Sequence, residues 1–393
     1  MDSVLVINSG SSSVKFALYS SATAAHPALT ALAERLNEPG SAIRIRGELE
    51  HQQSLGELAS HRSAMQAFLQ LAQPWLGNLR GVGHRVVHGG ERFAHSTVID
   101  DSNLADLASL SALAPLHNPL NVQGIELCRE LFAGIPQIAV FDTSFHQSIP
   151  EAAYLYGVPY DWYEQDAVRR YGFHGTSYRY VTQEAARRLH KPVEETNLLI
   201  AHLGNGCSAT AVRFGQSVDS TMGLTPLEGL VMGSRCGDID PGLIEHMQRS
   251  RGLTLEQCMH ELNRNSGLKG LSGLSNDMRT LLQAEADGNA TARRAIDVFF
   301  FRVARIFAAL SVSLADIDAV VFTGGIGEHA AGVRQRILAA WRNRNFRLDN
   351  GLNQQHGDEQ GRITQQGSPL ALVVPTDEER MIALDTYQLT EAL

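Results

Sequence analysis

Val4-Leu5-Val6-Ile7-Asn8-Ser9-Gly10-Ser11-Ser12-Ser13-Val14-Lys15-Phe16-Ala17-Leu18-Tyr19 is the stretch that decides the fold. Val4–Ile7 reads as a strand, Asn8–Ser13 as a turn of small residues, and Val14–Tyr19 as a second strand. The pattern returns far downstream. Leu198–Ala201 is apolar, His202–Cys207 is a turn, and Ser208–Phe214 resumes with small and apolar residues. Aligning Leu5 with Leu199 also sets Asn8 on His202 and Gly10 on Gly204. Two strand–turn–strand units, opening the two halves of a 393-residue chain, suggest a duplicated domain.

Working outward, the chain is mixed α/β. Ile138–Phe141 reads as a buried strand ending at Asp142, and Tyr178–His190 as a helix beginning after Gly175-Thr176-Ser177. Thr291–Ala315 is a long helical stretch with Val, Phe, Ile and Leu on a broad face. Strand Ala319–Phe322 follows, then a turn over Thr323–Gly327, then a helix to about Trp341. Leu370–Val374 reads as another strand, and residues 20–60 as connection and edge structure.

Composition narrows the function. The chain is 44% hydrophobic and 19% charged, in the range of soluble globular proteins. Its net charge of -9 disfavours a nucleic-acid partner but not a small anion, which needs only a few local cations. Cys128, Cys207, Cys236 and Cys258 form no CxxC pair, so a reducing compartment fits better than a disulfide or zinc framework. Val4–Ile7 is too short for a signal segment, and no stretch of about 20 apolar residues offers a membrane span.

Three turns are suited to phosphate. In Asn8–Ser13, small residues let backbone N–H groups and serine hydroxyls approach an anion, with Lys15 two residues on; an ordinary hairpin is the alternative. His202-Leu203-Gly204-Asn205-Gly206 is the second, and Gly324-Gly325-Ile326-Gly327-Glu328, between a strand and a helix, is the third. Neither a GxxxxGK[ST] nor a full GxGxxG spacing is present.

The cations and carboxylates each admit two readings. Arg85, inside Gly83-His84-Arg85-Val86-Val87-His88-Gly89-Gly90, is an anion clamp or half of a structural ion pair. Arg235, flanked by Gly233 and Gly237, either reaches a ligand or pairs with Asp238 or Asp240. His174, in Arg170-Tyr171-Gly172-Phe173-His174-Gly175, is a donor to a phosphoryl oxygen or a satisfied structural histidine. Asp142 is a positioned carboxylate or a cap, and Glu378 a magnesium ligand or part of a helix-start acidic cluster.

Together these segments resemble the acetate kinase (acetokinase) family. The matching pieces are VLVINSGSSSVKFALY, GHRVVHGG, PLHNPLN, FDTSFH, RRYGFHGTSYRYV, HLGNGCSATAV, DSTMGLTPLEGLVMGSRCGDIDPGL, SGLSNDMR, FTGGIGEHA and PTDEERMIALDT, from residue 4 to about 386. The resemblance implies an α/β chain of two duplicated RNase H-like (actin-like ATPase) domains with a nucleotide cleft between them. Residues 1–150, joined by a C-terminal helix 381–393, would form the acyl-substrate and magnesium side; residues 151–380 would bind nucleotide. It implies Asn8 and Glu378 as the magnesium site, with manganese as a substitute, and Lys15 as an ATP contact. Arg85 would clamp the substrate carboxylate. Asp142 would be the catalytic aspartate, with His174 and Arg235 stabilising the transition state. His202, Leu203, Gly204, Asn205 and Gly206, then Asp277, Met278 and Arg279, then Gly325, Ile326, Gly327, Glu328 and His329, would hold ATP or ADP. Val87, Leu116, Phe173 and Pro226 would hold the acyl methyl. His329 stands where Asn is more usual, Cys236 where Ser or Thr is commoner, and Asp377 where Asn is frequent.

The implied reaction is reversible, Mg-dependent, in-line phosphoryl transfer from ATP to acetate, giving acetyl phosphate and ADP, in a cytoplasmic homodimer without nucleic-acid or membrane partners. Propionate or butyrate kinase is the nearest alternative. A nucleotide-binding protein of the actin/Hsp70 fold without kinase activity lies further off, as does a sugar kinase, which calls for a stronger base and a polar pocket.

Overall fold

β1 (Ser3–Ser9) and β2 (Ser13–Tyr19) form an antiparallel hairpin with Asn8 opposite Lys15 and Ser9 opposite Val14. In this computed structural model, residues 2–10 and 12–391 are described. Ser11 of the serine turn, and Ala392 and Leu393 of the expected terminal helix, lie outside the described residues. The run Val4–Ile7 does not alternate in polarity because both faces of its sheet are covered. Leu5, Ile7, Val14, Phe16 and Leu18 pack with Met65 and Phe68 of helix His61–Ala72. Val4, Val6, Ala17 and Tyr19 pack with Ile382, Ala383 and Tyr387 of helix Glu378–Glu391.

The chain divides into two compact units, Met1–Phe145 with Asp377–Leu393, and His146–Thr376. In the first, β3 (Leu29–Glu34), β4 (Ser41–Gly47), β5 (His51–Gly56), β6 (Leu79–Val86), β7 (Thr97–Val98) and β8 (Gln137–Phe141) complete a sheet of order β5-β4-β3-β2-β1-β6-β8-β7. Residues 20–60, expected as connection and edge, therefore supply three full strands. The alternation of Ile43 and Ile45 with Arg44 and Arg46 in β4 marks one buried and one wet face, and β5 is polar because it forms the open edge.

In the second unit, β9 (Leu198–Leu203), β10 (Cys207–Arg213), β11 (Gln216–Ser220), β12 (Ala319–Thr323) and β13 (Ala371–Val373) are ordered β11-β10-β9-β12-β13. This repeats β3-β2-β1-β6-β8 of the first sheet. In both, the first three strands are antiparallel neighbours and the last two join in parallel. The duplication read from Leu5 and Leu199 is thus a repeat of five strands.

Several boundaries differ from expectation: the helix expected over Tyr178–His190 runs Gly175–Arg188, and the terminal helix begins at Glu378, not at 381. The long helix runs Ala290–Leu310 from an Asn289 cap, then tightens into a 3-10 turn where the Ser311 hydroxyl donates to the Ala308 carbonyl at 2.7 Å. Gly324–His329, expected largely as a turn, is itself a short helix, because Glu328 folds back and accepts from the Gly324 N–H at 3.0 Å. No helix among the described residues is long and apolar enough to cross a membrane.

Candidate active site

In the first unit, β1, β6 and β8 run parallel and place their carboxyl ends side by side, with Ile7 beside His84 and Arg85 beside Val140. Ligands gather at such ends in α/β sheets. Asn8 follows Ile7, and Asp142 follows the last residue of β8. Arg85 meets Asp142 as a two-toothed pair, Nε to Oδ1 at 3.1 Å and Nη2 to Oδ2 at 2.6 Å. Glu378 opens the terminal helix, with Oε2 3.8 Å from Arg85 Nε.

The helix reaches that position because Gly81 and Gly83 have no side chains. A Cβ at Gly83 would lie 2.3 Å from Thr386 Oγ1 and 2.7 Å from Ile382 Cγ2. Burial disfavours the charged form of Arg85, but Asp142 and Glu378 more than offset it and hold the guanidinium above its usual range. The Glu378 carboxyl is pushed up to about 7, first by burial, against the pull of Arg85, with Asp142 adding repulsion.

Asn8 and Glu378 both offer hard oxygen donors at these strand and helix ends. Two such donors completed by phosphate oxygens and water are what magnesium uses, so the residues fit the ion. No cluster of three or more His, Cys, Asp or Glu suited to a metal exists among the described residues.

Lys15 lines a separate cavity of about 360 Å³ with Arg44, Arg46, Asp377 and Glu379. Val87, half-buried, donates its N–H to Asn121 Oδ1 at 3.1 Å. Leu116 is 56% exposed.

In the second unit, His174 adopts a left-handed backbone (φ 58°) at the start of helix Gly175–Arg188, an unusual conformation for a residue with a side chain. Its ring stacks on His202 with centroids 4.3 Å apart, and its Nδ1 lies 2.8 Å from Ser208 Oγ. Arg235 donates to the Pro226 carbonyl at 2.5 Å. A Cβ on Gly206 would lie 2.8 Å from Arg235 Nη2 and 3.4 Å from His174 Nε2. The two donors therefore converge over a glycine of the second turn, where any side chain would separate them. Phe173 is buried beside His174, and its carbonyl takes His146 Nε2 at 3.0 Å. The four residues of the expected methyl pocket are divided, Val87 and Leu116 in one unit, Phe173 and Pro226 in the other.

A cavity of about 600 Å³ gathers Gly204, Asn205, Asp277, Met278, Arg279, Gly325, Ile326 and His329 from three separate segments. Asp277 and Arg279 pair at its wall, Nη2 to Oδ2 at 2.8 Å. His202, Leu203, Gly206, Gly327 and Glu328 do not line it. Glu328 accepts from the Gly324 and Thr376 N–H groups at 3.0 and 3.2 Å, so its carboxylate is engaged by backbone.

Sequence reasoning missed Asn276, whose Nδ2 donates to Asn205 Oδ1 at 2.9 Å, and Leu282, which also lines the cavity. Leu282 stands one helical turn after Met278, a spacing that was legible. Arg334 was also missed. It is fully buried and donates to the Gly327 and Glu328 carbonyls at 2.8 and 2.7 Å, to Asn353 Oδ1 at 2.8 Å and to the Asn353 carbonyl. Burial lowers its pKa to about 10.

The sequence profile of the acetokinase family matches residues 3–384. The chain belongs to the acetokinase family. It is 50% identical over 390 residues to a protein named acetate kinase from Ectopseudomonas mendocina, with 99% of each chain covered. Among solved structures, a propionate kinase from Francisella tularensis is similar at 39% identity and a TM-score of 0.95, covering 99% of this chain and 100% of that one. An acetate kinase from Porphyromonas gingivalis is similar at 35% identity and a TM-score of 0.91, covering 99% and 100%.

Proposed function

We propose that the protein transfers the γ-phosphoryl group of ATP to acetate, reversibly and in line, giving acetyl phosphate and ADP. The observation that carries this reading is the convergence of His174 and Arg235 over Gly206, beside the cavity of the nucleotide segments. Two donors held there suit the equatorial oxygens of a phosphoryl group in flight. The first unit is assigned the acid and magnesium, the second the nucleotide, and the working form is a homodimer in the cytoplasm.

A small carboxylic acid ionises near pH 4, judged from side-chain carboxylates, so at neutral pH it is already a nucleophile and needs no general base. What it needs is neutralisation and aim. Asp142 takes two N–H groups of Arg85, and the other N–H groups of that guanidinium are offered to the acid's carboxylate. Asp142 then orients Arg85 rather than removing a proton. Asn8 and Glu378 would hold magnesium, which would supply neutralisation of phosphate charge. Val87, two residues after Arg85, offers the methyl group an apolar side chain.

The test is acyl phosphate formation, trapped with hydroxylamine, from Mg-ATP with acetate, propionate or butyrate in parallel. Highest kcat/KM with acetate is expected. No acyl phosphate from any of the three, with ATP still bound, would refute the kinase reading. The likeness to the Francisella tularensis propionate kinase favours propionate as the second reading. A preference for it would keep the mechanism and change the acceptor.

A further inference from the structure

His174 and Tyr178 stand one turn apart at the start of helix Gly175–Arg188, where the Tyr178 N–H donates to the His174 carbonyl at 3.0 Å. One hydroxyl from the neighbouring sheet lies between their side chains. Ser208, the second residue of β10, has its Oγ 2.8 Å from His174 Nδ1 and in hydrogen-bond contact with the Tyr178 hydroxyl. Ser208 and Tyr178 are fully buried, so each hydroxyl must find its partner within the protein.

Each hydroxyl carries one proton, which decides how the three groups can be joined. If Tyr178 donates to Ser208, and Ser208 to His174 Nδ1, every group is satisfied. If His174 Nδ1 is the donor instead, one buried hydroxyl proton has no acceptor. It is that of Ser208 where Tyr178 also donates to Ser208, and that of Tyr178 where Ser208 turns to the phenol. Leaving a buried donor unmet is costly. Burial raises the Tyr178 pKa against the opposing bonds to Ser208 and the His202 backbone, so the phenol keeps its proton at neutral pH. The His202 backbone lowers that pKa, as an N–H donor does, and so offers the phenol proton no acceptor.

The satisfied arrangement makes Nδ1 an acceptor and puts the ring proton of His174 on Nε2. The stack on His202, 21° from parallel, holds the ring plane. Nε2 is the nitrogen that faces Gly206 beside Arg235 Nη2. A guanidinium only donates, so a bare Nε2 would draw it to the ring. A protonated Nε2 stands beside it as a second donor to a third group.

We propose that Ser208 and Tyr178 are positioning residues for His174. They hold it as the neutral tautomer with its proton on Nε2, so that two donors and no acceptor face the transferring phosphoryl group over Gly206. The use made of that donor rests on the phosphoryl-transfer reading; the tautomer rests on the geometry alone.

The deciding measurement is nitrogen-15 NMR of the full chain labelled at histidine, at pH 7.5, where protonated and bare ring nitrogens resonate far apart. His174→Gln identifies the His174 signals among those of the 15 histidines. A protonated Nε2 and a bare Nδ1 are expected in the wild-type protein. Ser208→Ala should mix the two tautomers, and Ser208→Thr, which keeps the hydroxyl, should restore the one. Tyr178→Phe removes the donor that engages Ser208 and should weaken the preference too. In the acyl phosphate assay, Ser208→Ala should lower kcat about tenfold, the factor equivalent to one hydrogen bond. The KM values for Mg-ATP and acetate should stay within about twofold, since the interaction is made in the transition state. On a His174→Gln background, Ser208→Ala should add nothing.

A bare Nε2 or a doubly protonated ring in the wild-type protein overturns the proposal without any variant. So does a Ser208→Ala protein that keeps the tautomer, or whose loss of kcat persists undiminished on the His174→Gln background, as a merely structural role would produce. Should Ser208→Ala not fold, the wild-type spectrum and Tyr178→Phe decide. The tautomer is read without turnover, so failure of the wild-type chain to phosphorylate acetate would strike the choice of reaction and not the tautomer.

Discussion

Arg85 has its fork in Asp142 and its Nε 3.8 Å from Glu378, so its position is set before any acid arrives. A lysine would keep the charge and lose the two-toothed geometry. Arg85→Lys should lower kcat/KM for acetate by about tenfold to a hundredfold, the range for bonds to charged groups, with most of the effect in KM. An unchanged acetate KM would remove Arg85 from the acid site. Val87 stands two residues on, and shortening it should make room for one more methylene. Val87→Ala is expected to raise the ratio of propionate to acetate kcat/KM by about tenfold, within the range that one methylene commands. Parallel hydroxylamine assays check the ratio, and an unaltered ratio would place the methyl elsewhere.

Among elements, the 3-10 turn Ser144–His146 carries a histidine with a thermodynamic signature. His146 is buried, with Nδ1 2.7 Å from Ser217 Oγ and Nε2 donating to the Phe173 carbonyl. Burial lowers its pKa to about 4, the bond to Phe173 opposes that, and Arg170 adds to it. The folded state keeps the ring neutral, while the unfolded chain protonates it below about pH 6.5. The unfolded state therefore binds more protons between pH 4 and 6.5. Stability is fully present above that window and falls as pH drops through it, by about 3 kcal/mol at most for this one group. Urea midpoints followed from pH 7.5 to 4.5 should show the fall, and His146→Gln should flatten part of it.

The terminal helix gives a second element-scale expectation. Gly83→Ala would drive a methyl into Thr386 and Ile382. It should cost about 1–3 kcal/mol, as overpacking does, and should lower activity by shifting the helix that begins at Glu378. The short helix Gly324–His329 hangs likewise on Arg334, whose guanidinium donates to two of its carbonyls. Arg334→Met should leave those carbonyls unpaired, lower the Tm and weaken ATP binding, with the acetate KM unchanged.

Over the whole molecule, one five-strand order is used twice. Each copy joins its first two strands by a short connection, between Ser9 and Ser13 in one and between Leu203 and Cys207 in the other. The copies have diverged in what stands at the strand ends: a paired arginine and carboxylate in the first, a stacked histidine pair with Arg235 in the second. Kinetic effects should divide accordingly. Arg85 substitutions should act on the acid, and Asn205→Ala or Arg279→Ala should raise the KM for ATP several-fold while leaving that for acetate within about twofold. Effects on both substrates from both sets would contradict the division of labour.

The amino-acid sequence by itself determined the duplicated fold and the family, because strand–turn–strand units and motifs are local patterns written in consecutive residues. It also marked Gly204, Asn205, Asp277–Arg279, Gly325, Ile326 and His329, which line one cavity, but not Asn276, Leu282 or Ala330 beside them. Only the tertiary structure decided which groups meet. Arg85 and Asp142, His61 and Gly10, and Arg334 and Asn353 come from separate segments, and sheet order and helix packing, not spacing, bring them together. It likewise decided that Glu328 turns to backbone amides instead of the cavity, and that residues 20–60 are three strands. The physical reason is the same in each case. A side chain's partner is set by whichever unsatisfied group the folded chain brings within about 3 Å, and sequence distance carries no record of that.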